Sequence, residues 1–167
     1  SLIVTGVQTC ALPIFLFDHA ESLRYEMLAN SSFQPLAQLA KKVKGEIKYH
    51  VMHADSWIKQ LSNGTEESKA RMQSALNFAF PYALGIFETV DSEKELIDSN
   101  VFLGEAELQK RWLEKISAIL QGAGLTVPAV DLSKAVNGGR KGFHSEYLQS
   151  LLSEMCEVVN TDPDAEW

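Results

Sequence analysis

Residues 36–61 read LAQLAKKVKGEIKYHVMHADSWIKQL, and this stretch decides the fold class. Apolar or weakly polar side chains recur along it at alternating spacings of four and three, which is the repeat of one helix face and not that of a β-strand. The members of this stripe are Leu36, Ala40, Val43, Ile47, His50, Ala54, Trp57 and Leu61. A helix of this length with one apolar face is typical of a helical bundle, where that face packs against neighbouring helices.

Signals for helix ends flank the stretch on both sides. Pro35 suits the first turn of a helix, because proline lacks the N–H that this turn leaves unbonded, and Ser31 and Ser32 are candidate N-caps. Residues 62–64 read SNG and end the helix, and Thr65 then caps the next one ahead of two glutamates. The sequence therefore predicts two long helices joined by a short loop.

Similar stripes predict the remaining helices. They run from Phe15 to about Asn30, from Thr65 through an expected kink at Pro81, from about Glu105 to Gln121, and from about Leu148 to Asn160, with a short polar helix within 91–100. No segment alternates with period two over the length of a strand. We therefore expect an all-α antiparallel helical bundle formed by residues 15–167.

Charge and composition exclude several classes of function. The 167 residues carry 15 lysines and arginines against 22 aspartates and glutamates, a net charge of −7. This acidic balance argues against a nucleic-acid or anionic-membrane surface. Cys10 and Cys156 have no cysteine or histidine nearby at ligand spacing, which argues against a disulfide framework or a zinc site and favours a reducing, cytoplasmic compartment.

The first fourteen residues, SLIVTGVQTCALPI, differ from the rest of the chain. They contain no charged residue and lack the basic start of a signal peptide. Residues 4–14 resemble the translated sequence of a common sequencing-library adapter, the alternative being a divergent but genuine N-terminus. We therefore treat 1–14 as a non-native, adapter-like segment and expect 15–167 to be a fragment of a bundle that is missing its N-terminal helices.

Glu46, His50 and His53 form a candidate metal site. Their spacings of four and three place them near one face of the long helix, as in bundles whose helices project metal ligands inward. A di-iron carboxylate bundle also requires Glu-x-x-His motifs, and the sequence contains none. Hydrogen-bonded polar groups in a core or interface are the favoured interpretation, and a remnant of a metal site is the alternative.

Residues 137–142, NGGRKG, form a second candidate site. Glycines beside a helix N-terminus, together with Arg140 and Lys141, could cradle a phosphate. However, the phosphate-binding motif G-x-x-x-x-G-K-[ST] is absent, so a structural or docking loop is favoured.

Two further predictions concern burial. Cys156 lies within the last predicted helix and is expected to be a buried filler. A solvated face is expected at six charged positions of the helix that begins near Glu105, namely Glu105, Glu107, Lys110, Arg111, Glu114 and Lys115.

Four segments together carry a family resemblance. They are FLFD at 15–18, KGEIKYHVMHADSWIKQLSNGTEESKARMQ at 44–73, PYALGIFE at 81–88 and NGGRKGFHSEYLQSLLSEM at 137–155. In this order they resemble the C subunits of bacterial phenylacetyl-CoA epoxidases, also called ring 1,2-phenylacetyl-CoA monooxygenases. Tyr147 departs from the family pattern, where a second histidine is expected.

The resemblance implies a ferritin-like, non-catalytic structural subunit in aerobic phenylacetate catabolism. Its partner would be a catalytic A subunit that holds the di-iron centre and epoxidises the aromatic ring of the CoA thioester with O₂. It implies no catalytic residue and no cofactor in this chain, with Arg140 and Lys141 as a possible contact to CoA. Association of the chain with itself is left open, and the alternative function is a stand-alone di-iron protein whose ligands lie partly in the missing N-terminus.

Overall fold

The chain folds into α-helices connected by loops. A computed structural model describes the backbone of residues 2–163 and the side chains of residues 11–163. The helices are α1 Leu2–Leu28, α2 Gln34–Ser62, α3 Glu66–Leu84, α4 Glu93–Asp98, α5 Glu105–Gly122, α6 Tyr147–Met155 and α7 Glu157–Thr161. Residues 2–163 contain no β-strand, which confirms the all-α prediction. The helices form two compact units, Ser1–Asn137 and Gly138–Trp167.

In the first unit, α1 is the helix against which α2, α3 and α5 pack. His19 of α1 contacts Asp55 of α2, and a five-residue connection joins the two helices, so they run antiparallel. Leu16 and Arg24 of α1 contact Trp112 and Glu105 of α5 respectively, in reversed order along the two helices. α1 and α5 are therefore also antiparallel, as expected for a bundle.

Local sequence signals account for the ends of α2 and α3. Thr65 is the N-cap of α3, and its hydroxyl accepts a hydrogen bond of 3.1 Å from the backbone N–H of Ser68. This confirms the predicted cap, which satisfies one of the N–H groups that a helix start leaves unbonded. Phe33 holds the N-cap position of α2 instead of a serine, while the Ser31 hydroxyl accepts from the Phe33 N–H at 3.2 Å.

The core of the first unit is centred on Trp112 of α5, which is fully buried. Its ring lies against Phe80 of α3 and Phe87 just beyond α3, with ring centroids 5.9 and 4.9 Å away. Its indole N–H donates a 2.9 Å hydrogen bond to the carbonyl of Leu16 in α1. A buried indole of this kind combines a large apolar surface with a satisfied polar group.

The end of α3 is bound to a loop far along the chain. α3 continues through Pro81 for three residues, and the Pro81 carbonyl accepts a 3.0 Å hydrogen bond from the backbone N–H of Val136. The approach is so close that a Cβ atom on Gly85 would lie 2.0 Å from the Val136 carbonyl oxygen. Only glycine fits at this position, which explains why a glycine follows α3 directly.

The structure differs from the sequence prediction at α1. This helix was expected to begin near Phe15 but starts at Leu2 and continues through Pro13, and Leu12 is fully buried in the core. The excluded segment therefore continues the helix. The adapter-like origin of residues 1–14 stays a prediction, and the side chains of residues 1–10, Cys10 included, lie outside the described residues.

The second unit contains α6 and α7 where a single helix was predicted. Cys156 separates them, because its ψ of 0° lies outside the α-helical region, and the cysteine is exposed and not buried as expected. In this unit Gly138 and Gly142 adopt positive φ values of 106° and 83°, which favour glycine. None of the helices in the described part of the chain has the length and apolarity needed to cross a membrane.

Trp112→Ala should lower the free energy of unfolding by about 3–5 kcal/mol, because it removes the largest fully buried side chain and leaves a cavity. Urea unfolding followed by circular dichroism measures this. The matched control is Phe78→Ala on α3, whose side chain is 69% exposed and whose loss should cost less than about 1 kcal/mol. Equal losses in the two variants would contradict a core centred on Trp112.

Candidate functional site

The three residues of the candidate metal site, Glu46, His50 and His53, lie exposed on α2. The side chain of His50 is 64% exposed, so its predicted place in the buried stripe is wrong. The fully buried positions of α2 are Ala37, Ala40, Ala54, Ile58 and Ser62. The buried face is therefore rotated away from His50, toward small side chains that allow α1 to approach closely.

His53 is engaged with a neighbour on its own helix. The indole N–H of Trp57 donates a 2.9 Å hydrogen bond to His53 Nε2, and the two rings meet edge to face. This bond uses the lone pair with which Nε2 would bind a metal. Among the described residues, no group of three or more histidine, cysteine, aspartate or glutamate side chains is arranged to hold a metal ion.

A polar contact that the sequence did not predict joins α1 to α2. His19 is 2% exposed, and its Nε2 lies 2.7 Å from Asp55 Oδ1. The Phe15 ring packs edge-on against the His19 ring, with centroids 4.7 Å apart. This contact joins α1 to α2 through a buried imidazole and a carboxylate whose side chain is 38% exposed.

Asp18, beside His19, is a buried carboxylate with few groups nearby to stabilise its negative charge. The residue is 7% exposed, and its Oδ2 has no hydrogen-bond partner among the described residues. The imidazole of His50 lies nearby, with its Nδ1 3.9 Å from Oδ2. Burial raises the pKa of Asp18 above its ordinary value, and the nearby His50 and His19 offset only part of this effect.

A second buried cluster joins α1 to the start of α5. The guanidinium of Arg24 donates to Glu105, which is 3% exposed, and to Glu21 at 2.9 Å. The prediction that Glu105 lies on a solvated face is therefore wrong. Burial opposes the charged form of Arg24, but hydrogen bonds and charge from Glu105 and Glu21 outweigh it, so the pKa of Arg24 is raised. The backbone N–H of Glu105 donates to Glu93 at 2.7 Å, which fixes the loop before α5.

The candidate loop at residues 137–142, for which a structural or docking role was favoured over phosphate binding, lies mainly in the second unit. Arg140 and Lys141 form part of a single 3₁₀ turn, Gly139–Lys141, between the two glycines of positive φ, and both side chains are exposed. The turn is closed by backbone hydrogen bonds from Lys141 and Phe143 to the Gly138 carbonyl. The loop is thus a well-defined turn that presents two cations, and their contact with CoA stays a prediction.

Comparison with known proteins places this geometry in a family context. The family model described as phenylacetic acid catabolic protein matches residues 8–167. Over 143 residues the chain is 27% identical to the C subunit of the 1,2-phenylacetyl-CoA epoxidase of Escherichia coli (strain K12). The alignment covers 86% of this chain and 57% of that relative, so the chain spans little more than half of the relative's length.

Asp18→Asn should make the protein more stable than the wild type at about pH 7. With the pKa of Asp18 raised in the folded state, the charged carboxylate costs stability at neutral pH, and that cost vanishes as pH falls and the group becomes protonated in both states. The advantage of the variant should therefore shrink in urea unfolding curves recorded from about pH 7 down to about pH 4.

The control for this experiment is Asp91→Asn, at an exposed loop position, which should change stability by less than about 0.5 kcal/mol throughout. A variant at Asp18 that is less stable than the wild type at neutral pH would show that the charged carboxylate is stabilising there.

Arg24→Met should lower the free energy of unfolding by about 3 kcal/mol, because it leaves the buried Glu105 carboxylate without its guanidinium. Lys94→Met is the matched control, since Lys94 pairs with Asp98 on the surface, and it should cost less than about 1 kcal/mol. Similar small losses for both variants in denaturant unfolding would mean that Glu105 is satisfied without Arg24.

Proposed function

Because the chain belongs to the phenylacetic acid catabolic protein family, we propose that it acts as a structural, non-catalytic subunit of a phenylacetyl-CoA 1,2-epoxidase complex. Its partner in this proposal is the catalytic di-iron A subunit, and the complex works in the cytoplasm in aerobic phenylacetate catabolism. The observation that carries the proposal is the similarity to the C subunit of an epoxidase over 86% of the chain.

The buried polar groups support a structural role. In a di-iron bundle, buried carboxylates bind metal cations at the centre of the helices. Here the buried carboxylate of Glu105 is bound to the guanidinium of Arg24 instead. A fixed positive charge at this place repels a metal cation.

The hydrogen bonds of His19 and His53 fit the same role. His19 is bound to Asp55, and the Nε2 atom of His53 is used by Trp57. These pairs hold helices and side chains in place, and the sequence contains no Glu-x-x-His motif to supplement them. Such an arrangement suits a subunit whose contribution is a rigid surface for a partner.

Co-expression with the A subunit tests the proposal. We expect the two chains to co-elute as a stable complex in size-exclusion chromatography, with iron that is accounted for by the A subunit. This chain, purified alone from iron-supplemented cells, should contain no stoichiometric iron. The double variant Glu46→Gln/His50→Gln is the control, and it should leave the iron content of the complex unchanged because both side chains are exposed on α2.

Two results would contradict the proposal. Stoichiometric iron in this chain alone, lost in the Glu46→Gln/His50→Gln variant, would favour a stand-alone di-iron protein. Separate elution of the two chains at micromolar concentration would remove the partnership with the A subunit.

A further inference from the structure

Three lysines on α2 form a face of a single charge. Lys41, Lys44 and Lys48 are spaced by three and four residues and so lie along one side of the helix, and all three are exposed. We call these three residues the lysine face. No aspartate or glutamate lies three or four residues from any of them, and within the described part of the chain none of them forms an ion pair.

Four cations elsewhere on the surface are arranged differently. Carboxylates three or four residues away pair with Arg71, Lys94, Arg111 and Lys134. Like charges at the same spacing destabilise a helix instead, and the lysine face contains two such contacts in succession. Its charges therefore do not serve the stability of α2, which suggests that they serve binding.

We propose that the lysine face docks an acidic surface of the partner subunit. This inference rests on the proposed function, in which the chain binds the A subunit. The chain as a whole has a net charge of −7, so it repels an acidic partner, whereas the lysine face attracts one locally. This pattern of charge favours one orientation of the two subunits when they meet. Charge complementarity at interfaces contributes more to such specificity and to the association rate than to affinity.

Apolar surface beside the lysine face completes the docking site. Met52, one turn beyond Lys48 on the same side of α2, is 58% exposed, and neighbouring Tyr49 is 67% exposed. The aliphatic stems of the lysines add apolar area beneath their charges. Methionine and tyrosine are enriched in protein interfaces and lysine is depleted there, so we expect Met52 and Tyr49 to be buried and the ammonium groups to lie at the rim.

A charge-reversal experiment tests the docking site. Binding of the full chain to the purified A subunit is titrated calorimetrically for the wild type and for Lys44→Glu/Lys48→Glu. We expect the dissociation constant to rise about tenfold or more in the variant, and its dependence on salt concentration to weaken. Lys44→Arg/Lys48→Arg keeps the charge and should bind within about twofold of the wild type.

The matched control changes the same net charge at another place. Lys110→Glu/Lys115→Glu lies on the exposed side of α5 and should alter the dissociation constant by less than about twofold. Circular dichroism of each variant establishes that it is folded as the wild type is.

The outcomes separate this inference from the proposed function. If the wild type does not bind the A subunit, both are wrong. If the wild type binds and Lys44→Glu/Lys48→Glu binds equally well, or both reversals weaken binding to the same extent, the proposed function stands and the lysine face is not the docking site. Binding through these lysines to vesicles of equal parts phosphatidylcholine and phosphatidylglycerol, with A-subunit binding unaffected by the reversal, would assign the face to lipid and overturn the inference.

Discussion

The burial of Trp112 is the interaction on which the first unit of the structure depends. Its ring fills the space between α1, α3 and the turn after α3, and its N–H bonds to the Leu16 carbonyl. This bond sets how far α5 slides along α1. In the same register, Arg24 lies eight residues after Leu16 on α1. It meets Glu105, which lies seven residues before Trp112 on α5. The apolar contact and the buried ion pair thus specify one alignment of the two helices, and each would be broken by a slip of a single turn.

The seam between α1 and α2 is held by contacts of a different kind. Small residues such as Ala37, Ala40 and Ala54 line the buried face of α2, so the two backbones approach closely and leave little room for large side chains. His19 and Asp55 supply a specific polar contact within this seam. Another side of α2 is exposed, and there Lys41, Lys44 and Lys48 have no carboxylate three or four residues away. α2 therefore has one face devoted to packing and another free to meet a partner.

The sequence predicted what local signals determine. α2, α3 and α5 begin and end within a few residues of their predicted limits, because signals such as Pro35 and Thr65 act through their immediate neighbours. The buried ionic contacts could not be predicted this way, since their partners lie 81 residues apart for Arg24 and Glu105, and 36 for His19 and Asp55. Glu105 has charged neighbours in the sequence, which is the pattern of a solvated helix face. That pattern is the same whether or not Arg24, far away in the sequence, pairs with it. His50 was misplaced for a related reason, because spacings of three and four fit two adjacent faces of a helix equally well.

The Arg24–Glu105 pair also shows how a carboxylate buried between helices is satisfied by another side chain of the same protein. A carboxylate buried between helices needs a positive charge close by, because the interior of a protein solvates ions poorly. A bound metal ion can supply that charge, but then the fold depends on the metal being present. An arginine supplies a positive charge that is part of the chain and is always present. The hydrogen bonds of its guanidinium fix the geometry, as bonds between a metal ion and its ligands would. The chain thus satisfies this buried carboxylate with its own guanidinium, and in the proposed structural subunit the exposed helix faces are the surfaces that would contact a partner.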